Sequence, residues 1–461
     1  MSLLLSSKLK KDNKKPLPKI STLIANTLKI SLPAAIETLF IGLIGMADTM
    51  MVGNYSTEAL SAVAISQQPV MITIAAAIGI NAGVIAIISR RKGENNKEAA
   101  NDCLRQSLII GFIVSIVMTF IALAIANPLL RLAGAKDETI GLAETYFKIV
   151  SLGLIFNYIR FTITAAQRSI GNTRITLITN IIANLVNIFF NYCMIHGNLG
   201  FKEMGVQGAA IATLIGNGVA FVIALLSVYR SKGFLSIRIR DNWKINFKTW
   251  KNIFTVSSAA FVEQIFMRIG FFVIAKIVNE LGTEQTAINA ILGNIIALSF
   301  NIADGFAIGA AALVGQSLGE KEPNKAFAYG RISQVISVIL AITLVIITNV
   351  FKVPLASAFS NDSNIINQAV KLLPLAAFVM LPQSIQWVTT GILRGAGDTK
   401  YTARTSMISV MIIRPIFSYT LCYIVGLGII GSWIGMFVDQ TIRCVFNNIR
   451  FINLKWMKIN V

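Results

Sequence analysis

The chain has 461 residues, of which 55% are hydrophobic and only 13% charged, with a formal charge of +20. A soluble domain carries about 25% charged residues, and the apolar residues here come in blocks long enough to cross roughly 30 Å of hydrocarbon at about 1.5 Å per residue, which excludes an ordinary soluble fold. The blocks are continuous rather than alternating, which excludes barrel strands. The basic residues lie in short segments between them, which speaks against a nucleic-acid binder despite the charge.

In chain order the apolar blocks predict twelve membrane-spanning helices, near residues 28–52, 60–89, 107–126, 142–166, 175–196, 206–228, 252–279, 286–316, 332–351, 367–393, 402–424 and 428–448. The segment before the first span holds Lys8, Lys10, Lys11, Lys14, Lys15 and Lys19. The second connection holds Arg90, Arg91, Lys92, Lys97 and Arg105, the fourth Arg168 and Arg174, and the sixth seven lysines and arginines between Arg230 and Lys251. The eighth holds Lys321, Lys325 and Arg331, the tenth Arg394, Lys400 and Arg404, and the tail Arg450, Lys455 and Lys458. The odd connections carry only Arg131, Lys136, Lys202 and Lys352. Basic loops mark the cytoplasmic side, so this alternation predicts both termini inside, in the inner (plasma) membrane.

A shift of 226 residues aligns the halves without a gap from Glu37 to Thr173. Glu37 falls on Glu263, Thr57-Glu58 on Thr283-Glu284, Gly79 and Gly83 on Gly305 and Gly309, Gly93-Glu94 on Gly319-Glu320, Pro128-Leu129 on Pro354-Leu355, and Arg168, Gly171 and Thr173 on Arg394, Gly397 and Thr399. The expected architecture is all-α, with two parallel six-helix repeats related by an axis along the membrane normal. It comprises a basic cytoplasmic segment (1–21), an N-terminal lobe (22–228), a basic cytoplasmic linker lying near anionic headgroups (229–251), and a C-terminal lobe with a short tail (252–461).

Two like-oriented lobes suggest alternating access to a central cavity. There is no Walker motif, no Ser-His-Asp set and no pair of catalytic carboxylates, and Cys103, Cys193, Cys422 and Cys444 have no metal-ligand spacing. The expectation is a transporter rather than an enzyme, without a cofactor, driven by Na+ or H+. Ionisable residues inside spans are the clues to coupling, because each is costly unless paired or hydrated. Asp48 lies in the first span within M-A-D-T-M-M-V-G, and its place in the repeat is taken by Ile274. Glu37 and its repeat partner Glu263, Asp304 in the eighth span, and Gln383 are further cavity or structural candidates. Asp439 and Arg443, four apart, read as a structural pair. Asn180, Asn184, Asn187 and Asn191 form one stripe on the fifth span. The repeat has Ser406, Val410, Ile413 and Phe417 there, and this asymmetry favours function in the N-terminal lobe.

With M-A-D-T-M-M-V-G, the turns L-V-G-Q-S-L-G-E and L-R-G-A-G-D-T-K, the run N-I-F-F-N, the segment G-V-Q-G-A-A-I-A-T and the tail R-F-x-x-x-K-W ending at Trp456, the chain resembles the multidrug and toxic compound extrusion (MATE) family over all twelve helices. The resemblance implies an ion-driven exporter of small amphipathic, often cationic compounds, working as a monomer in the bilayer. It maps the family's cation-coupling site to Asp48, Asn187, Asn191 and Thr213, although one branch has aspartate where this chain has Asn191. NorM-like relatives use two acidic residues in the C-terminal lobe, and these positions are Met267 and Gln383 here, which puts coupling of that kind in doubt. The alternative is a flippase for a lipid-linked oligosaccharide or peptidoglycan precursor, which needs a strongly cationic cavity. In-span bases are few, chiefly Lys148, Arg160, Arg268, Lys276, Lys371 and Arg414. The loop after the second span, S-R-R-K-G-E, does not fit a major-facilitator transporter.

Overall fold

The computed structural model describes residues 16–360 and 362–459. Five of the N-terminal lysines, Lys8 to Lys15, lie outside the described residues. Among the described residues there is no strand. The N-terminal half contains α1 (Ile20–Gly53), α2 (Thr57–Thr73), α3 (Ala75–Gly93), α4 (Lys97–Ala124), α5 (Ala126–Leu132), α6 (Asp137–Leu152), α7 (Leu154–Ser169), α8 (Thr173–Ile195) and α9 (Gly205–Tyr229). The C-terminal half contains α10 (Phe247–Asn279), α11 (Thr283–Gly319), α12 (Pro323–Val350), α13 (Lys352–Ser357), α14 (Ser363–Gly395), α15 (Thr399–Ile424) and α16 (Ile429–Ile452).

The repeat read from the sequence reappears in the helix limits. Thr57 to Gly93 becomes Thr283 to Gly319, Lys97–Ala124 becomes Pro323–Val350, and Asp137 to Ser169 becomes Ser363–Gly395. The copies differ in straightness. The second and fourth spans bend by 43° between α2 and α3 and by 49° between α6 and α7, where Gly153 interrupts the helix. The equivalent α11 and α14 run unbroken, although α14 carries Pro374 and Pro382. Nine helices among the described residues are long and apolar enough to cross a membrane, and the two bent pairs raise the number to eleven. The twelfth expected span is α10, which has 33 residues but carries Lys248, Lys251, Glu263, Arg268 and Lys276, so its composition is less apolar.

The chain packs into two compact units. One holds the described residues of Met1–Thr38 and Val262–Val461, the other Leu39–Phe261. The boundary drawn at the linker follows the repeat, whereas the compact units divide inside α1 and α10. The first half of α1 packs with the C-terminal half's helices, and the first half of α10 with the N-terminal half's. The four glycines that coincide in the repeat explain the contact. A Cβ on Gly305 would lie 2.2 Å from the Ala35 backbone, and one on Gly309 would lie 2.0 Å from the Ser31 hydroxyl. A Cβ on Gly79 would lie 2.9 Å from Phe261 Cβ, and one on Gly83 would lie 2.4 Å from the Ser257 hydroxyl. Inside a membrane, helix pairing depends on close packing rather than on hydrophobic force, and small residues permit it. Thr38 adds a hydrogen bond from its hydroxyl to the Asn301 carbonyl at 2.6 Å.

The linker is stapled to the start of α4. The Ser236 amide donates to Asn101 Oδ1 at 2.7 Å, Gln106 Nε2 donates to the Lys244 carbonyl at 2.8 Å, and Trp250 Nε1 donates to Gln106 Oε1 at 2.7 Å. Asp102 accepts from the Thr249 hydroxyl at 2.7 Å.

Glu263, with 1% of its side chain exposed, accepts from Arg394 at 2.8 Å, joining α10 to the end of α14. The carboxylate thus anchors its lobe. Glu37 is fully buried as well. Removing one member of a buried pair leaves an uncompensated charge. Glu263→Ala is expected to cost about 3 kcal/mol, at the low end of the usual range because Arg394 is partly exposed. Thermal unfolding of the purified protein in detergent checks this, and a midpoint equal to wild type would contradict the anchoring role.

Candidate functional site

Asp48, Asn187, Asn191 and Thr213 come together inside one unit. Asp48 sits near the end of α1, the two asparagines lie one turn apart on α8, and Thr213 lies on α9. Asn191 Nδ2 donates to Asp48 Oδ1 at 2.8 Å and approaches Asn187 Oδ1 at 3.2 Å, while Asn187 Nδ2 reaches Thr213 Oγ1 at 3.4 Å. With the Asn187 amide turned over, its nitrogen donates to Asp48 Oδ1 at 2.8 Å and its oxygen accepts from the Thr213 amide at 3.2 Å. Close packing of α9 on α8 makes this possible. A Cβ on Gly216 would lie 3.0 Å from the Ala183 carbonyl oxygen and 3.1 Å from Asn187 Cβ.

A cavity of about 220 Å³ opens beside the cluster, lined by Asp48, Asn180, Asn184, Asn187 and Thr213 together with Asn81, Asn217, Arg160 and Arg168. The asparagine stripe therefore lines a cavity over three of its four positions. The fourth, Asn191, is almost fully buried behind it, and its Oδ1 has no hydrogen-bond partner. Asn81 Oδ1 is likewise a buried acceptor without a donor. Unpaired buried oxygens next to a carboxylate suit a small cation or water.

Besides Asn81 and Asn217, the residues Arg160, Arg168 and Tyr146 line or neighbour the site without having been sequence candidates for it. Arg160 donates to Asn180 Oδ1 at 2.6 Å and to Asn157 Oδ1 at 3.1 Å. Its place inside a span was the only signal available. Arg168 reads as a loop residue from the sequence, yet it lines the cavity at the end of α7. Tyr146 on α6 interacts with Thr213 and lies within electrostatic range of Asp48. No sequence pattern marks it, since an aromatic residue in a span is ordinary.

The other candidates lie elsewhere. Asp304 accepts from Trp387 Nε1 at 2.8 Å, and the ring of Trp387 packs 4.7 Å from that of Phe300. Gln383 and Met267 are buried in the C-terminal half, and Gln383 Oε1 has no partner. Asp439 and Arg443 form the expected i,i+4 pair at 2.7 Å, with side-chain exposures of 0% and 3%.

Comparison with known proteins gives the family and the fold. The MatE family profile matches residues 33–193 and again 259–420, once in each half. The chain is 29% identical over 439 residues to a probable multidrug resistance protein NorM of Thermotoga maritima, covering 94% of this chain and 92% of that relative. It is 24% identical over 446 residues to an uncharacterized transporter, YisQ, of Bacillus subtilis, covering 96% of this chain and 97% of that one. An outward-facing multidrug resistance MATE family transporter of the MOP superfamily superposes with a TM-score of 0.87 at 22% identity, over 96% of this chain and 100% of the other, and shows the same fold. With both halves of the duplicated frame matched and the fold shared over nearly its whole length, this multi-pass membrane protein belongs to the MatE family.

Proposed function

We propose that the chain is a secondary active multidrug exporter that moves amphipathic, cationic compounds out across the cell membrane by alternating access, in exchange for Na+ or H+ bound at Asp48. The observation that carries this reading is the single carboxylate of Asp48 at a polar cavity, beside the amides of Asn187 and Asn191 and the hydroxyl of Thr213. An amide offers N–H on one side and C=O on the other. With nitrogens toward Asp48 the site satisfies a bare carboxylate, and with oxygens turned in it ligates a cation. Arrival of the ion then changes what the cavity presents to a cationic drug, and differential affinity of this kind shifts the transporter between states. The name of the Thermotoga maritima relative, a probable multidrug resistance protein, supports drug export as the activity.

Purified protein in proteoliposomes tests the reading. Efflux of ethidium is expected when an inward Na+ or H+ gradient is imposed, and replacing the driving ion identifies which one couples. Absence of transport with either gradient would reject the exporter, and movement of a lipid-linked sugar in its place would favour a flippase.

The orientation follows from the basic loops, with both termini and the linker cytoplasmic. A single cysteine in a cysteine-less background, at Arg240→Cys, is expected to resist an impermeant maleimide in intact cells and to react after permeabilisation. Rapid labelling of intact cells would invert the topology.

A further inference from the structure

We propose that the C-terminal half carries a second ligand site, built for an oxyanion such as a carboxylate or phosphate, by Arg414 and Arg443 beside Asp439 and by Arg268, which shares the ring of Phe271 with Arg414. The residues meet where α10, α15 and α16 pack closely. A Cβ on Gly270 would lie 2.7 Å from the Val410 carbonyl oxygen, which places Arg268 and Arg414, two and four residues away, on either side of that crossing. The guanidiniums of both lie over one ring, that of Phe271, at 6.0 Å and 5.8 Å from its centre. Ser409 fastens α15 to α16 by donating to the Asp439 carbonyl at 3.2 Å. Arg414 lies within electrostatic range of both Asp439 and Arg443.

The charge does not close. Arg414 and Arg443 share the one carboxylate of Asp439, which Arg443 already occupies through one oxygen at 2.7 Å. Nε and Nη1 of Arg443 are buried without a hydrogen-bond partner, and so are Nε of Arg268 and Nε of Arg414. Among the described residues no hydrogen bond or ion pair reaches the side chain of Arg268 or of Arg414. Unpaired buried charge in a membrane interior is costly and marks sites that receive a partner. Guanidinium forks match the planar oxygens of carboxylate and phosphate, which makes an oxyanion the group that satisfies these donors. Asp439 Oδ1 and Gln440 Oε1, both buried acceptors without donors, suit a hydroxyl or ammonium on the same molecule.

Two features separate this cluster from architecture. The repeat does not contain it, because Arg268 and Arg414 correspond to Gly42 and Ile188 in the N-terminal half. The helix is also irregular here: a π-helical segment, Ser409–Ile413, ends immediately before Arg414. Such segments recur at functional sites because the added residue turns the following side chains onto a new face. In a MatE exporter this site would hold the acidic group of a zwitterionic or anionic amphiphile. That extension rests on the exporter reading, whereas the binding site itself does not.

Fluorescence anisotropy of carboxyfluorescein with full-length protein in detergent tests the site without any ion gradient, so its failure is distinguishable from failure of ion-driven efflux. Wild type is expected to bind the dye. Displacement by inorganic phosphate would identify a site for the free anion, and displacement by benzoate alone a site for an organic acid, and either supports the proposal. Arg414→Gln and Arg268→Gln are each expected to weaken binding about tenfold, the worth of one charged hydrogen bond, with ethidium binding retained as the sign of a folded protein. Should Arg414→Gln fail to fold, Arg268→Gln decides alone. No binding of carboxyfluorescein or phosphate by wild type, or equal binding by a folded variant, would overturn the site.

Discussion

Asp48→Asn is expected to reduce ion-driven ethidium efflux at least tenfold at matched expression. The substitution is nearly isosteric and still polar, so the packing of α1 against α8 and α9 is kept, and an amide at this position still offers a hydrogen-bonding oxygen to Asn191. What is lost is the charge. A neutral amide neither takes up a proton nor balances a sodium ion, and hydrogen bonds to a charged group are worth about 1.5–3 kcal/mol, which spans roughly tenfold to more than a hundredfold. Asn187→Ala removes one of the cation ligands proposed here and one cavity wall and is expected to give a smaller loss of the same kind. Gln383→Ala, in the other half, is expected to transport at close to the wild-type rate, because neither Gln383 nor Met267 can carry negative charge. The N-terminal assignment does not survive full ion-dependent efflux by Asp48→Asn, nor a result in which Gln383→Ala alone uncouples transport.

Gly395→Val is expected to be the most damaging single change to the fold among those considered. A Cβ at Gly395 would lie 2.3 Å from the Ala311 carbonyl oxygen, and one at Gly391, a turn earlier, 2.4 Å from that of Ala307. Both contacts are with the backbone of α11, so the clash cannot be relieved by rotating a side chain, and α14 must move away along its length. Overpacking in a tight core costs about 1–3 kcal/mol, and two extra methyls facing a backbone put this case at or above the upper end. The expected result is little or no monodisperse protein after extraction in detergent. Gly293→Val is the control: it lies on the same α11 but meets nothing within 4 Å, and it is expected to purify like wild type. Equal yields and thermal midpoints for the two variants would show that α11 and α14 do not depend on this contact.

Much of the molecule was legible before any coordinates. The twelve spans follow from hydrocarbon thickness and the cost of an unpaired backbone, and both are local properties of a segment. The repeat was readable because Glu37, Gly79, Gly83 and Arg168 recur at one offset, and the observed helix limits keep that offset. The meeting of Asp48 with Asn187, Asn191 and Thr213 was anticipated through family resemblance, and the asparagine stripe pointed to it independently through helical spacing.

Four features were decided only by the tertiary structure. The first halves of α1 and α10 pack in the opposite half's unit, with Ser31 and Ala35 against Gly309 and Gly305, and Ser257 and Phe261 against Gly83 and Gly79. The sequence showed the glycines but not which helix they receive. Arg168 lines the cavity although its neighbours make it look like a loop residue. Tyr146 reaches Thr213 from a helix with no polar stripe. Arg414 and Arg443, from separate helices, share the carboxylate of Asp439, and Arg268, from a third, shares the ring of Phe271 with Arg414. The physical reason is common to all four. Composition and periodicity report what each helix needs from its surroundings, namely lipid on one face and partners for its polar groups on another. Which helix supplies those partners depends on shape at close range, because in a bilayer every apolar face is equally well solvated and only small residues, bulged turns and hydrogen-bond geometry distinguish one neighbour from the next.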